Sequence, residues 1–238
     1  MELAHRWGVP YCGLFPRLTS TLDAIHDLGS EGAPDGASVI AEEQTAGRGR
    51  DGRPWHSPAG GVWLGMLLRP ERAELGVVSI RAGLAVADAV DALLGEPAAR
   101  LKWPNDVLLE DRKLAGILCE ARWQGERLQW LALGVGVNVC NAIPVGVADR
   151  AIALRERLPA VRRLALLDRL VPALARAGAG IALSQPERAA FATRDWLRGR
   201  RIRAPVPGRA DGVLPDGALL VNLGAGTVTV REGHVELA

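Results

Sequence analysis

The sequence predicts an α+β protein with two unequal parts, and three observations support this. Strand patterns between residues 100 and 139 return as antiparallel hairpins, helical periodicities alternate with strands, and short alternating apolar stretches lie between glycine turns near the end. The first two predict a mixed or antiparallel sheet with helices on one side, and the third predicts a small β-barrel. We therefore predict one domain over residues 1–198 and a small C-terminal β-barrel domain over residues 199–238.

The first elements follow from local signals. Residues 1–10 have no periodicity and predict a loosely ordered start, and residues 11–15 predict a short strand ended by Pro16. Ser20 is a suitable N-cap for a helix that Gly29 would end. The later strands of the first part are predicted at residues 37–43, 61–68, 100–102, 107–109, 113–121 and 129–139. Its later helices are predicted at 75–94, at 161–181 with a kink or break at Pro172, and at 187–197. Residues 140–157 are predicted to form a long loop that could act as a lid. The barrel strands are predicted at 201–206, 212–214, 218–222, 227–231 and 234–237.

One stretch organises the chain: Gln44–Trp55, with the sequence QTAGRGRDGRPW. Glycines at this density permit positive φ and close backbone approach, so the stretch is predicted to be a loop that leaves a strand. Its arginines are fixed cations with planar donor forks that suit carboxylate and phosphate. The loop is predicted to be mobile in the free protein and to close over an anionic ligand. A solvated loop without a ligand is the alternative at this point.

Composition narrows the class of protein. A net charge of +2 with 48% hydrophobic residues argues against a bulk electrostatic binder of nucleic acid. Three scattered cysteines predict free thiols rather than a disulfide framework or a metal site. The sequence shows no secretory leader and no apolar run that would span a bilayer, so we expect a cytoplasmic protein without a membrane partner.

Lysine usage is unusual. Among 29 lysines and arginines only Lys102 and Lys113 are lysine, and both lie in one short segment. Because lysine is a compact point charge on a thin stem, this distribution indicates a segment that needs ammonium groups, with chance as the alternative.

Six stretches then occur in the order typical of biotin protein ligases, which the chain resembles over nearly its whole length. They are Ser20-Thr21, QTAGRGR at 44–50, Trp55, KWPND at 102–106, RKLAGIL at 112–118 and GVGVN at 134–138. The resemblance implies a class II synthetase-like catalytic domain followed by an SH3-like barrel. It also implies an ATP-dependent, AMP-forming enzyme that makes biotinyl-5′-AMP, releases pyrophosphate and transfers biotin to a lysine of a biotin carboxyl carrier protein. Mg²⁺ would arrive with ATP and not in a protein cage.

The resemblance assigns roles to individual residues. Two anions, the biotin carboxylate and the α-phosphate, must meet, so fixed positive charge is needed where charge develops. The catalytic residues implied are Lys113, Arg50 and Asp106, the last to orient or deprotonate the incoming amine. The biotin-binding residues implied are Ser20, Thr21, Leu22, Gln44, Gly47, Arg48, Gly49, Lys113 and Gly116. The residues implied for ATP and the adenylate are Arg50, Trp55, Lys102, Asn105 and Asn138.

The chain also departs from the family. Many members carry an N-terminal DNA-binding domain, but here the first motif arrives at Ser20, so we expect a ligase without a DNA-binding role. Leu22 stands where the family often has asparagine. A homodimer is possible. The alternatives are a lipoate-protein ligase of the same superfamily and a non-catalytic biotin sensor, which biotin-dependent ATP–pyrophosphate exchange would distinguish.

Overall fold

The computed structural model describes residues 2–238 and contains two β-sheets. The larger sheet has seven strands in the order β1-β2-β3-β7-β6-β5-β4. Its strands are β1 (Cys12–Leu18), β2 (Ser38–Gln44), β3 (Val62–Leu68), β4 (Arg100–Lys102), β5 (Asp106–Leu109), β6 (Arg112–Gln124) and β7 (Arg127–Val137). β1 and β2 are parallel and every other neighbouring pair is antiparallel, so the predicted mixed sheet is confirmed.

Five α-helices surround this sheet: α1 (Glu2–Trp7), α2 (Thr21–Ser30), α3 (Leu75–Leu94), α4 (Arg163–Leu174) and α5 (Gln185–Arg194). Along β3, Val62, Leu64, Met66 and Leu68 join the core cluster that includes the buried faces of α3 and α4. Between them, Gly65 faces α2, where an added Cβ would meet the Ile25 side chain at 2.7 Å. Successive side chains of β3 point to opposite faces of the sheet. Helices α3 and α4 therefore share one face, as expected, whereas α2 lies on the opposite face.

The chain start is ordered, contrary to the prediction for residues 1–10. Residues 2–7 form α1, Trp7 is buried, and its indole N–H donates to Asp168 Oδ1 at 2.8 Å. Arg6 donates to both oxygens of the same carboxylate. The segment is too short for a sequence period, and its order comes from these contacts with α4.

Two further boundaries differ at prolines. β1 continues through Pro16 to Leu18, because β1 is an edge strand and tolerates a residue without an N–H. α4 is shorter than the predicted 161–181 and ends two residues after Pro172. The helix continues through Pro172, so the predicted break does not occur there, because a proline ring disturbs only the turn before it. Gly178 and Gly180, the latter at φ 75°, follow the end of α4.

The C-terminal part forms a five-stranded antiparallel sheet in the order β11-β10-β9-β8-β12. Its strands are β8 (Arg201–Ala204), β9 (Gly208–Val213), β10 (Leu219–Asn222), β11 (Thr227–Val230) and β12 (Glu236–Leu237). The end strands β11 and β12 do not pair, so among residues 2–238 the sheet is open and the predicted closure into a barrel is not observed. Buried side chains of this sheet belong to the same hydrophobic cluster as α3 and α4, so the boundary at residue 198 stays a prediction. No helix in residues 2–238 has the length and apolar character needed to cross a membrane.

Candidate active site

A cavity of about 280 Å³ lies over the larger sheet, under the loop that follows β2. Its walls come from the start of α2, the loop 48–55, strands β3 to β7 and the segment 233–235 that precedes β12. All the site residues predicted from the sequence line this cavity except Gly47 and Asn138. The structure therefore brings together residues that are up to about a hundred positions apart in the chain.

Over β2 the cavity carries neutral polar groups. Ser20 caps α2, its Oγ accepting from the Leu22 N–H at 3.2 Å, as its position before the helix predicts. The Gln44 Oε1 accepts from the N–H of Thr21 at 2.8 Å and from its hydroxyl at 3.0 Å. The Gln44 Nε2 donates to the Ser57 Oγ at 2.8 Å. These bonds fix which end of the Gln44 amide is donor and which is acceptor.

Glycines form the floor of the cavity. An added Cβ would lie 3.0 Å from Leu22 at Gly134, and 2.5 Å from the Trp55 Nε1 at Gly136. At Gly116, which pairs with Gly136 across β6 and β7, it would lie 3.2 Å from the Trp55 ring. The missing side chains thus make room for the Leu22 side chain and for the Trp55 indole against the sheet. The Trp55 Nε1 is buried and has no hydrogen-bond partner among the described residues.

Charged groups stand at the other side of this floor, over β6, β5 and β4. The Lys113 Nζ lies 2.6 Å from the Asp106 Oδ1, and 5.1 Å from the centre of the Trp55 ring. Lys102 also lines this side, where burial lowers its pKa. The Asn105 amide donates to the Ile117 carbonyl at 2.8 Å, which ties the turn after β4 to β6. The order of the strands separates the neutral polar groups from the charged groups. Strands β2 and β3 lie on one side of β7, whereas β6, β5 and β4 lie on its other side.

Arg48 and Arg50 have different surroundings, although the sequence predicts both as cations for an anionic ligand. The three guanidinium nitrogens of Arg48 all donate to carboxylates, those of Asp23 and Glu120. Arg50 also lines the cavity, and its Nη1 contacts the Gly233 carbonyl at 3.4 Å. Only Arg50 of the two therefore has its charge free of a carboxylate partner in the described residues.

Two predicted binding residues do not line the cavity. Gly47 supports it from behind, because an added Cβ would lie 2.6 Å from the Ser57 Oγ and 2.7 Å from the Trp55 carbonyl. Asn138 is buried and its Oδ1 accepts from the Asn141 Nδ2 at 3.0 Å. The assignment of Asn138 to the nucleotide is therefore not supported by its position, and its visible role is to hold the turn after β7.

The loop 140–157 is not a lid over this cavity, since none of its residues lines the wall. It pairs instead with β6, where the Lys113 N–H donates to the Arg150 carbonyl at 2.7 Å and the Ile152 N–H donates to the Lys113 carbonyl at 3.1 Å. These bonds hold the backbone from which the Lys113 side chain extends.

Sequence reasoning assigned no role to Ser57, behind the cavity wall, or to Arg53 and His234, which are part of the wall. Ser57 orients Gln44, and Arg53 and His234 line the wall beside the charged groups. Burial, followed by the charges of Lys102 and Arg53, lowers the pKa of His234. A serine two residues beyond Trp55 could have been noticed, but no sequence signal connects His234 with residues more than a hundred positions earlier. Residues 2–238 contain no group of three or more acidic, histidine or cysteine side chains suited to a metal ion.

Comparisons with known proteins identify the family of this chain. A model of the Biotin/lipoate A/B protein ligase family matches residues 14–138. A biotin--[acetyl-CoA-carboxylase] ligase of Paracoccus denitrificans is 37% identical over 225 residues, which are 86% of this chain and 91% of that protein. One of Mycobacterium tuberculosis is 38% identical over 215 residues, 84% of this chain and 79% of that protein. The structure of the biotin protein ligase from Aquifex aeolicus in complex with biotin and ATP is similar, with a TM-score of 0.79 and 26% identity over 96% of this chain and 99% of that one. The chain belongs to the biotin/lipoate A/B protein ligase family.

Proposed function

We propose that this protein is a biotin protein ligase. It joins biotin to ATP to form biotinyl-5′-AMP and pyrophosphate, and then transfers the biotinyl group to a lysine of a biotin carboxyl carrier protein. The relatives named as biotin--[acetyl-CoA-carboxylase] ligases cover most of this chain and support both the reaction and the class of acceptor.

The division of the cavity into a neutral side and a charged side carries this proposal. Biotin has a neutral ureido ring at one end and a carboxylate at the other, so it needs directed donors and acceptors at one end and cations at the other. Ser20, Thr21 and Gln44 supply the first set, supported by Ser57. In the structure the Leu22 side chain and the Trp55 indole lie against the glycine floor between these polar groups and Lys113. The ring and tail of biotin would take the place of the Trp55 indole on this floor, and Trp55 would then cover the ligand.

In the first step a biotin carboxylate oxygen attacks the α-phosphorus of ATP, a new P–O bond forms, and the bond to the β-phosphate breaks with loss of pyrophosphate. Negative charge grows on the α-phosphate oxygens in the transition state. Lys113 and Arg50 would stabilise this charge, with Lys102 and Asn105 on the nucleotide side. Mg²⁺ would come with ATP and neutralise its phosphates.

In the second step the carrier lysine attacks the acyl carbon of biotinyl-5′-AMP, an amide forms, and AMP leaves. The attacking amine must be neutral, so its ammonium first has to lose a proton. Asp106 lines the cavity beside Lys113 and would orient this amine or accept its proton. The Lys113 ammonium lies 2.6 Å from its Oδ1 and would hold the carboxylate beside the acyl group.

ATP–pyrophosphate exchange tests the first step, and incorporation of labelled biotin into a purified biotin carboxyl carrier domain tests the second. We expect exchange that requires biotin and a single labelled lysine in the carrier. Exchange that responds to lipoate instead would support the lipoate-ligase alternative, and binding of biotin without any exchange would support the sensor alternative.

Several sequence predictions accompany this proposal and await their own tests. They are a catalytic domain over residues 1–198 with a separate unit over 199–238, a homodimer, a cytoplasmic location and the lack of a DNA-binding role. The mobility of Gln44–Trp55 in the free protein is also a prediction.

A further inference from the structure

All three guanidinium nitrogens of Arg48 donate to carboxylates. Its Nε and Nη2 donate to the two oxygens of Glu120, both at 2.9 Å, and its Nη1 donates to the Asp23 Oδ1 at 2.6 Å. The first pair has the bidentate geometry that gives charge-assisted hydrogen bonds their direction and strength. Three of the five N–H groups are used in this way, and the charge of the guanidinium is already matched by two carboxylates. An anionic ligand would therefore have to compete with Asp23 and Glu120 for this side chain.

The two carboxylates belong to rigid elements, α2 and β6, and Glu120 is held from a second side. The Trp130 indole N–H donates to the His26 Nδ1 at 3.1 Å. An indole nitrogen can only donate, so the His26 Nδ1 is the acceptor and its Nε2 carries the proton. That Nε2 donates to the Glu120 Oε2 at 2.9 Å. The hydrogen bonds from Arg48, with that from His26, lower the pKa of Glu120 although burial opposes this shift.

The base of the loop is joined to the end of β1 by the N–H groups of Thr45 and Ala46, which donate to the Leu18 and Thr19 carbonyls. Beyond this base, Arg50 contacts the Gly233 carbonyl and the Trp55 carbonyl accepts from the Ser57 hydroxyl. Within the loop, the Gly49 N–H donates to the Arg53 carbonyl at 2.7 Å and the Trp55 N–H donates to the Gly47 carbonyl at 2.8 Å, so it folds on itself as a hairpin. Arg48 is the residue by which this hairpin is fastened to α2 and β6. Its pairing also removes one positive charge from a loop that carries two further arginines.

We propose that Arg48, Asp23 and Glu120 form a latch that holds the loop closed over the cavity, and that Arg48 is a positioning residue and not a ligand for biotin or phosphate. Arg50 and Arg53 remain to face the anionic ligand. Retention of the adenylate by the latch rests on the proposed function, whereas closure of the loop does not.

Loop closure is tested without any ligand by the rate at which an arginine-specific protease cuts after Arg48 or Arg50. The double variant Asp23→Asn/Glu120→Gln leaves every arginine in place. Partly exposed ion pairs each shift an equilibrium by up to about fivefold, so we expect cleavage to rise roughly tenfold. Glu43→Gln is the matched control, because it breaks the Arg17–Glu43 ion pair on the preceding strand. It should leave the cleavage rate unchanged.

A cleavage rate of the double variant within twofold of wild type would overturn the proposal. Equal Tm values for the double variant and the control establish that both are folded. If the double variant unfolds, Asp23→Asn alone should give a smaller rise in cleavage, and no rise would again contradict the latch.

A second measurement separates positioning from ligand contact. We expect biotinyl-5′-AMP to dissociate roughly tenfold faster from the double variant, from Arg48→Gln, and from the triple variant that combines them. Equal rates mean that Arg48 acts only through its carboxylates. A triple variant that releases the adenylate much faster than the double variant would assign Arg48 a direct contact.

The two proposals fail in different ways. If wild-type protein shows no biotin-dependent exchange while the double variant is still cut faster, the ligase function is wrong and the latch stands. If exchange is normal and cleavage is unchanged, the latch is wrong and the function stands.

Discussion

Replacement of Lys113 by arginine should nearly abolish adenylate formation while leaving the fold intact. The ammonium lies 2.6 Å from the Asp106 Oδ1 and 5.1 Å from the centre of the Trp55 ring, above the glycine floor. The site is closely confined, because a Cβ added at Gly116 would lie 3.4 Å from the Lys113 Cε. Arginine keeps the charge, but its longer, planar guanidinium cannot take the place of this point charge between a carboxylate and an indole.

The size of the effect follows from the role of the charge. Loss of one well-placed donor to a developing anion costs about 10²–10³ in rate, or about 2.7–4 kcal/mol of transition-state stabilisation. Stability should change by less than about 1 kcal/mol, because the Lys113 side chain is 34% exposed and its ion pair is only partly buried. The variant should therefore lose activity at nearly unchanged Tm.

The assay is biotin-dependent ATP–pyrophosphate exchange at saturating biotin and ATP, so that the loss is measured in kcat. Arg112→Lys is the matched control: it changes the preceding residue, which is ion-paired with Glu110 and Glu156 and does not line the cavity. The control should retain exchange within a few-fold of wild type. Exchange by Lys113→Arg within the same few-fold range would refute the assignment of Lys113 to the reaction.

Three further predictions concern the floor, the loop and a helix cap. Gly136→Ala places a Cβ 2.5 Å from the Trp55 Nε1 and should therefore displace the indole. We expect the rate of ATP–pyrophosphate exchange to fall by roughly tenfold or more and the tryptophan fluorescence to change. Unchanged fluorescence and kinetics would contradict this packing. Arg50→Gly should weaken retention of the adenylate more than its synthesis. Serum albumin incubated with this variant, biotin and ATP should then become biotinylated, and the labelling should increase with pH as lysine amines lose their protons. Unlabelled albumin together with normal labelling of the carrier would contradict this role of Arg50. Burial acts to raise the pKa of Glu187, but hydrogen bonds from Arg81 and the helix cap hold it at about 2. Its stabilisation should be complete above about pH 4.5 and lost as the pH falls toward 2. Glu187→Gln should therefore lower Tm at pH 7 and not at pH 2, and a Tm difference that is independent of pH would contradict the pairing.

Some elements could be predicted closely because local signals determine them. The bounds of α3 are those that the apolar periodicity indicates, and Gly95 ends the helix at φ 77°. The sequence predicts a hairpin turn at Asp111-Arg112, and β5 and β6 turn one residue earlier, at Glu110 and Asp111, with φ of 53° and 59° as a two-residue turn requires. Ser20 caps α2 as its position suggests. In each case residues adjacent in sequence supply the physical cause.

Other features depend on contacts between distant residues. The order of residues 2–7 comes from Asp168, and the open edge of the C-terminal sheet comes from the pairing of β12 with β8 but not with β11. The C-terminal sheet shares a core with α3, so its apolar alternation alone could not tell a closed barrel from a sheet that packs against a neighbour. Alternation identifies strands but not the strand that lies beside each one.

The sequence by itself determined which chemical groups are available: the glycine and arginine loop, the two lysines, and the polar residues before α2 and after β2. Only the tertiary structure decided what each group faces. Arg48 and Arg50 are two positions apart in an alternating run and both line the cavity, yet Arg48 is held by Glu120 and Asp23 while Arg50 has no carboxylate partner among the described residues. A residue pattern specifies charge and flexibility, whereas the partner of a charge depends on which strand and helix the sheet brings beside it, and that arrangement is a property of the whole fold.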